Sequence, residues 1–320
     1  MSQLIGIVCS LSRVARAVIS TTSYYLYPLQ AEKANREREA LTSTADVKKA
    51  AASIVCATIA KRSGLKSSIQ TWLVNSPLEI IVVTDESNYD SLKSDLQSLN
   101  CQLLRVICAP KRNKRVQLCT GFRVCQGDVI VITDDDTVWS PNVLQALTSG
   151  FSRDSQLGAV FPEVKFHPSN DMFFTVWETL SGARLFGDCI DIRTSTMIDG
   201  GVFCASGTTA AYRASILQDE RCLECFPNER FMGALLNAGD DQSLNFWLCR
   251  NGWNVSIAQD NETSGCRVLT LARPDWTHLL QLVRWSRSDW LTYIRATFID
   301  RTIWRYALTI IFRSDISSVC

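Results

Sequence analysis

The sequence has few histidines, little net charge and no long apolar run. Only two of its 320 residues are histidine, and its C-x-x-C pair, Cys222 and Cys225, is followed by no second pair. This combination argues against a zinc site. With 33 basic and 32 acidic residues the formal net charge is +1, so overall charge favours no nucleic-acid partner. No uninterrupted apolar run reaches the roughly 18 residues typical of a membrane span.

Cysteine is abundant by contrast. The thirteen cysteines are an odd number, and they lie within apolar runs such as residues 53–57 and 106–108. That pattern favours reduced, buried thiols in a cytosolic environment over a disulfide framework. Near the N-terminus, residues 4–19 are apolar but carry Arg13 and Arg16 and no convincing cleavage site. We expect an amphipathic helix there, lying on a membrane or on the protein itself.

Strand and helix patterns alternate after residue 50. The predicted strands cover residues 52–59, 78–84, 102–108 and 129–133. The predicted helices cover about 65–74, 89–99 and 116–124. Such alternation predicts a parallel sheet with right-handed crossovers, and therefore an α/β fold.

Three consecutive carboxylates follow the most apolar strand. Val129–Thr133 predicts a buried parallel strand, and Asp134, Asp135 and Asp136 come directly after it, where α/β sheets place their ligands. These like charges repel one another, so a hard divalent cation held by Asp134 and Asp136 and shared with phosphate oxygens would compensate them. The alternative is an acidic turn whose aspartates cap the next helix in water.

Two further charged clusters point to the same edge of the sheet. A basic run ending in Lys114 and Arg115 opens the helix before the acidic strand, which places cations for phosphates beside carboxylates for a metal. Alone, that run would be read as a solvated helix start. Asp240 and Asp241 form a second carboxylate pair where a helix over 243–250 begins, and simple helix capping is the alternative there.

Four separated motifs, in order, resemble the processive branch of the family 2 inverting glycosyltransferases. This branch includes hyaluronan, chitin and cellulose synthases and fungal capsule-type synthase-like proteins. The matching stretches are Lys114-Arg115 with the family's G-K-R stretch, Asp134-Asp135-Asp136-Thr137 with D-x-D-T, Gly239-Asp240-Asp241-Gln242 with the G-D-D or E-D motif, and Gln281-Leu282-Val283-Arg284-Trp285 with Q-x-x-R-W. Ser286-Arg287-Ser288 continues the last motif as in hyaluronan synthases, and residues 200–213 match a glycine-rich segment. The resemblance covers about residues 50–295. Because it rests on four separated motifs, chance agreement is much less probable than it would be for any one of them.

The resemblance implies a GT-A fold, a Rossmann-like, mostly parallel sheet flanked by helices, with terminal amphipathic helices. It implies an N-terminal amphipathic and connecting segment over 1–50, a catalytic domain over 51–295 and an amphipathic or membrane-proximal tail over 296–320. The chain would be a membrane-associated enzyme of polysaccharide synthesis whose catalytic domain faces the cytoplasm. Its partners would be a UDP-sugar donor, a glycan acceptor and a membrane surface.

The resemblance also implies roles for single residues. Mg²⁺ or Mn²⁺ on Asp134 and Asp136, helped by Lys114 and Arg115, would neutralise the departing diphosphate. Asp241 would be the general base and Asp240 would orient it. The predicted substrate contacts are Asp85 with uridine, Arg284 with the diphosphate, Trp285 stacked on the acceptor sugar, and Gln281 with the UDP-sugar or the acceptor.

Two departures leave alternatives open. Gln242 stands where relatives often have arginine, and the membrane spans that flank such synthases are missing or reduced to residues 1–27 and 302–312. Another metal-dependent phosphoryl- or nucleotidyl-transfer enzyme would explain the aspartates and the basic run but not residues 281–285. A degenerate, non-catalytic relative acting as a UDP-binding or scaffold subunit is the other alternative.

Overall fold

A computed structural model describes residues 50–59, 64–167, 175–199, 207–258, 265–271 and 275–295. The predicted terminal amphipathic helices lie outside these residues. Residues 200–206, the first half of the glycine-rich segment, also lie outside them. None of the helices in the described ranges has both the length and the hydropathy to cross a bilayer. The division of the chain at residues 50 and 295 stays a prediction.

Strands and helices alternate along the described chain. The strands are β1 (Ala52–Ala57), β2 (Glu79–Asp85), β3 (Leu104–Ala109), β4 (Val129–Thr133), β5 (Thr137–Trp139), β6 (Leu157–Pro162), β7 (Val164–His167), β8 (Thr209–Arg213), β9 (Arg230–Phe231), β10 (Ala234–Leu235), β11 (Asn254–Ala258) and β12 (Val268–Leu271). The helices are α1 (Leu65–Val74), α2 (Glu86–Gln97), α3 (Lys114–Phe122), α4 (Val143–Thr148), α5 (Val176–Asp199), α6 (Ala214–Leu217), α7 (Glu220–Cys225), α8 (Asp240–Arg250) and α9 (Thr277–Ile294).

A seven-stranded sheet in the order β11-β6-β8-β4-β1-β2-β3 forms the centre of the molecule. Its strand pairs are parallel except those of β8, which runs antiparallel to both β4 and β6. The carboxyl ends of β1, β2 and β4 therefore meet at one edge, and the start of β8 lies at that edge too. The predicted α/β fold with a mostly parallel sheet flanked by helices is confirmed.

Alternating apolar side chains cover both faces of this sheet. Along β2, Ile80 and Val82 enter one core, whereas Ile81 and Val83 enter the other. Helices α1, α2 and α4 pack on the first face, and α3, α6, α7 and α8 pack on the second. A strand buried on both faces needs this continuous apolar run, and each large side chain so buried contributes about 1.5–3 kcal/mol.

Two smaller sheets complete the described fold. Strand β12 pairs with β5 and β7 in a three-stranded sheet, and β9 and β10 form a short hairpin just before α8. The ten cysteines in the described residues are thiols outside any disulfide, and six of them are buried. Burial raises the pKa of the Cys119, Cys125 and Cys222 thiols to about 12, so these thiols stay protonated at neutral pH.

Candidate active site

The three aspartates after β4 point in different directions. Asp135 is buried, and its carboxylate accepts a 2.6 Å hydrogen bond from the Thr58 hydroxyl at the end of β1. Asp134 and Asp136 instead border an open cavity. The backbone N–H of Asp134 donates to the carbonyl of Thr208, 3.0 Å away. The end of β4 therefore places Asp134 and Asp136 at the cavity, whereas Asp135 hydrogen-bonds to the residue that follows β1.

Lys114 connects the two acidic motifs. It is the first residue of α3, whose N-terminus is capped by the Asn113 side chain. Its Nζ lies 3.0 Å from Asp134 Oδ1 and 3.0 Å from Asp240 Oδ2. Burial alone would lower the pKa of Lys114, but the two carboxylates outweigh it and hold that pKa well above the ordinary value. Lys114 is therefore a fixed cation within the cavity wall.

Two glycines bring Asp240 and Asp241 into place. Gly239 precedes α8 with φ 67° and ψ 41°, a left-handed conformation that costs little only for glycine. A Cβ at Gly207 would lie 3.1 Å from the Cβ of Asp241, so glycine there lets Asp241 approach the start of β8. The charge of Lys114 outweighs the burial of Asp240 and lowers the pKa of that carboxyl. The Asp241 Oδ1 accepts from the backbone N–H of Gln242 at 2.9 Å.

Helix α9 forms the opposite wall of the cavity. Residues spaced by three or four, here Gln281, Trp285 and Ser288, share one face of a helix, and this face borders the cavity together with Arg284. Ser288 Oγ lies 3.5 Å from Oε1 of the buried Gln242. Gln242, which also borders the cavity, thus faces α9.

One cavity of about 230 Å³ unites most of the predicted site. Eight predicted residues border it, namely Lys114, Asp134, Asp136, Asp240, Asp241, Gln281, Arg284 and Trp285. They come from the end of β4 and from three helices that are far apart in sequence. The lining combines carboxylates, a lysine, an arginine and a tryptophan. It suits a substrate with both a phosphate and a sugar.

Asp85 and Arg115 are not among the residues that border this cavity. Asp85 is buried at the end of β2, where it accepts hydrogen bonds from the side chains of Ser87 and Asn88. The Ser87 bond is the main reason that the pKa of Asp85 is lowered. Arg115 is 1% exposed and bonds to protein oxygens of the segment that precedes α8. The predicted uridine contact of Asp85 and diphosphate contact of Arg115 stay predictions.

Several polar residues that border the cavity belong to none of the sequence motifs. Ser181, Arg184 and Asp188 reach it from α5, and His278 reaches it from α9. His278 is buried with both ring nitrogens 3.2–3.3 Å from Ser181 Oγ. The spacing of residues 181, 184 and 188 places them on one helical face, and this regularity was the available signal.

The acidic residues suit a hard divalent cation, with the protein supplying few of its ligands. Carboxylate oxygens are the ligands that Mg²⁺ and Mn²⁺ prefer, and Asp134 and Asp136 bring them to the cavity. In the part of the chain that the structure describes, no three His, Cys, Asp or Glu side chains are grouped for a metal. Diphosphate oxygens and water would have to complete the coordination, as is usual for Mg²⁺ beside phosphates.

A family comparison decides the class of this site. The family described as "Glycosyltransferase like family 2" matches residues 50–288, which span β1 to α9 and the cavity residues from Lys114 to Ser288. The chain belongs to this family. The resemblance inferred from the motifs is confirmed, and the chain is a glycosyltransferase-like protein.

Individual relatives agree with the family. A type 2 glycosyltransferase of Zymoseptoria tritici is 31% identical over 240 residues, covering 75% of this chain and 50% of the relative. Hyaluronan synthase 2 of Bos taurus is 26% identical over 247 residues, covering 75% of this chain and 42% of the synthase. This glycosyltransferase-like chain spans about half the length of the curated relatives it matches.

A solved structure shares the fold. The mannosyltransferase PcManGT from Pyrobaculum calidifontis, solved in complex with GDP-Man and Mn²⁺, superposes with a TM-score of 0.59 at 16% identity. The match covers 93% of this chain and 81% of the mannosyltransferase. At this identity the likeness shows the GT-A fold alone.

Proposed function

We propose that the protein is an inverting hexosyltransferase that moves a sugar from a UDP-sugar to a glycan acceptor hydroxyl in polysaccharide synthesis. The observation that carries this proposal is the position of Lys114, whose ammonium joins the carboxylates of Asp134 and Asp240 in one cavity. Asp241 lines the same cavity. Cationic and anionic groups are thereby assembled where a sugar diphosphate and an acceptor hydroxyl have to meet.

The proposed reaction is a single displacement at the anomeric carbon. The Asp241 carboxylate accepts the proton of the acceptor hydroxyl as the hydroxyl oxygen bonds to that carbon. The bond between the anomeric carbon and the phosphate oxygen breaks on the opposite face, and UDP leaves with inversion. Lys114 and Arg284 neutralise the charge that grows on the leaving diphosphate. Asp240 holds Lys114, and Trp285 offers an aromatic face to the acceptor sugar.

We further propose that Asp134 and Asp136 hold Mg²⁺ or Mn²⁺. When bound, the cation would supply Lewis-acid stabilisation of the diphosphate. The support is the oxygen-rich character of this end of the cavity and the Mn²⁺ in the solved complex of the mannosyltransferase that shares the fold. That complex contains GDP-Man, so the uridine in our proposal comes from the resemblance to the synthases.

Calorimetry of UDP binding tests donor and metal together. We expect UDP to bind with Mn²⁺ or Mg²⁺, to bind much more weakly in EDTA, and to lose its metal dependence in Asp136→Ala. Asp154→Ala, an exposed aspartate near the end of α4, is the matched control. Equal UDP binding with and without metal would contradict the proposal. Metal-dependent UDP binding without UDP release from any of a panel of UDP-sugars would favour the non-catalytic, UDP-binding alternative.

We also propose that α9 lies on a membrane surface, with the cavity on the cytoplasmic side. The face of α9 opposite the cavity carries large apolar side chains that are exposed, including Leu280 at 58%, Val283 at 57% and Trp290 at 53%. The exposed Arg287 lies on the same face and would favour anionic lipid. The ten cysteines of the described residues form no disulfide, which accords with a reducing compartment.

Co-sedimentation with phosphatidylserine-containing vesicles tests this surface. The double change Leu280→Glu and Val283→Glu should abolish binding, because it removes apolar area and adds repulsion from anionic lipid. Val74→Glu on α1, a residue that is 62% exposed, is the matched control and should bind normally. Equal binding by all three proteins would contradict the proposal.

A further inference from the structure

We infer that Arg115 and Glu229 are positioning residues that hold the Asp241-bearing end of α8 in place, and that Arg115 is not a donor ligand. This inference rests on the proposed function, because it concerns the base of that reaction. It differs from the expectation raised by the motif around Lys114, in which both basic residues contact the diphosphate.

The Arg115 guanidinium donates its hydrogen bonds to the segment that leads into α8. Its Nη2 donates to the carbonyls of Ala238 and Gly239 at 2.7 and 3.1 Å, and its Nη1 donates to the carbonyl of Phe226 at 3.1 Å. The guanidinium also lies 5.2 Å from the ring centre of Phe226. Arg115 therefore binds both ends of the segment 226–239, which connects α7 and α8.

The carbonyl of Gly239 is part of the helix start itself. It accepts the first α8 hydrogen bond, from the Ser243 N–H at 3.0 Å, and also the bond from Arg115. Because Gly239 has a left-handed backbone, small changes in its peptide planes reorient the following two aspartates. A fixed donor at this carbonyl therefore fixes the direction of Asp241.

Glu229 extends the same network to α8 and to the end of α9. One carboxylate oxygen accepts from Arg115 Nη1 at 2.7 Å and from the Ser243 hydroxyl in the first turn of α8. The other oxygen pairs with Arg295, just beyond α9. The Glu229 side chain is only 12% exposed. One largely buried carboxylate thus joins α3, which carries Lys114, to α8 with the proposed base and to the end of α9, the helix with the Q-x-x-R-W residues.

These contacts explain why an arginine is needed beside Lys114. A buried lysine would offer a single charge with three donors, and it could not reproduce the planar fork that serves four separate oxygens here. An error of about 1 Å in a catalytic group costs roughly 100-fold in rate. Loss of the network should therefore reduce turnover more than it reduces donor binding.

The test compares the variants Arg115→Lys and Glu229→Gln with a control variant, Glu79→Gln. Glu79 is a buried carboxylate at the other end of the sheet. Glu79 accepts hydrogen bonds from Ser53 and from the Gln126 N–H and pairs with Arg105, so Glu79→Gln should cost comparable stability without touching α8. We expect kcat to fall about 100-fold in Arg115→Lys and Glu229→Gln. Their UDP dissociation constant and donor KM should stay within about threefold of wild type. Glu79→Gln should keep its kcat.

Hydrogen exchange supplies a readout that does not depend on activity. The amides of residues 238–245 should exchange faster in Arg115→Lys and Glu229→Gln and at the wild-type rate in Glu79→Gln. Should Arg115→Lys not fold, Glu229→Gln and Arg295→Met carry the same comparison. A rise of tenfold or more in the UDP dissociation constant with unchanged exchange would overturn the inference and make Arg115 a donor ligand. Absence of sugar transfer by the wild type would instead refute the proposed function and leave the exchange result standing.

Discussion

At the scale of single residues, the two adjacent aspartates at the start of α8 make different contacts. Asp240 pairs with Lys114 and its carboxyl has a lowered pKa, which makes it a poor proton acceptor at neutral pH. Asp241 accepts the Gln242 N–H at its own helix start and borders the cavity. The identical side chains thus have different surroundings, with Asp240 paired with the lysine and Asp241 lining the cavity.

Asp241→Asn should abolish sugar transfer while UDP still binds. The amide keeps the size and the helix-capping capacity of the carboxylate but cannot take a proton, and the loss of a general base costs about 10²–10⁴ in rate. Turnover of UDP-sugar and calorimetric UDP binding measure the two effects separately. Asp90→Asn on the exposed surface of α2 is the control. An Asp241→Asn protein that turns over normally would place the base on another residue.

Lys114→Met should weaken the binding of UDP more than the binding of metal. A charge-assisted hydrogen bond contributes about 1.5–3 kcal/mol, so UDP affinity should fall roughly 10- to 100-fold. Mn²⁺ alone should bind at least as tightly as to wild type, because removal of the ammonium beside Asp134 removes a competing cation. Calorimetry with MnCl₂ alone and then with UDP separates the two. Lys66→Met, which breaks a surface pair with Asp95, is the control, and unchanged UDP affinity in Lys114→Met would contradict this role.

At the scale of elements, local pattern predicted most helices and strands but not their long-range partners. Helix α1 was predicted over 65–74 and has these bounds, because amphipathic spacing and Pro77 are local signals. Helix α8 begins at Asp240 rather than 243, since the left-handed Gly239 starts the helix sooner than the apolar pattern does. That β8 is antiparallel depends on a connection across residues 168–208, and sequence pattern alone does not fix its direction.

The candidate site was predictable to the extent that its residues belong to contiguous motifs. Eight motif residues border one cavity because strand ends and helix starts gather at the carboxyl edge of a sheet. The partner of Arg115 lies 114 residues away at Glu229, in a segment with no motif. Only packing reveals that contact. The adjacent Lys114 and Arg115 looked equivalent in sequence, whereas consecutive helical residues point about 100° apart and these two enter different environments.

Gly239→Ala should perturb the start of α8. A Cβ at φ 67° is strained by about 1–2 kcal/mol, and relief of that strain would move Asp240 and Asp241. We expect urea unfolding to show a loss of about 1 kcal/mol and turnover to fall at least about tenfold. Gly64→Ala is the matched control, since Gly64 precedes α1 with φ −82° and open space around its Cβ position. A stable and fully active Gly239→Ala protein would show that the left-handed turn is not required.

At the scale of the whole molecule, one of the two cores of the central sheet holds α3 and α8 on the same face, and the cavity opens at the sheet edge beside them. Ion pairs also join the cavity walls, in addition to the apolar packing of α3 and α8. Lys114 joins α3 to α8 and to the end of β4, and Glu229 joins α3 and α8 to the end of α9. Such pairs are favourable only while their carboxylates are charged. The integrity of the site should therefore depend on pH more steeply than the sheet itself does.

Glu229 should contribute stability at neutral pH that disappears in acid. Burial opposes its charge, but hydrogen bonds from Ser243 and Arg115 and the charges of Arg115 and Arg295 outweigh burial and lower its pKa from the ordinary 4.5. Because the pKa is lower in the folded state, this stability is present above the unfolded-state value and is lost as the pH falls through the folded-state value.

Urea unfolding of wild type and Glu229→Gln at several pH values between 7 and 3 checks this. Loss of one member of a buried ion pair costs about 3–5 kcal/mol, so we expect a difference of this order at pH 7. It should narrow below about pH 4.5, because protonated glutamate and glutamine are then nearly equivalent. Glu224→Gln, an exposed carboxylate of α7, should differ from wild type by less than about 0.5 kcal/mol throughout. If the difference for Glu229→Gln stays constant down to pH 3, the carboxylate charge is not what joins the helices, and shape alone would have to hold α8 against α3.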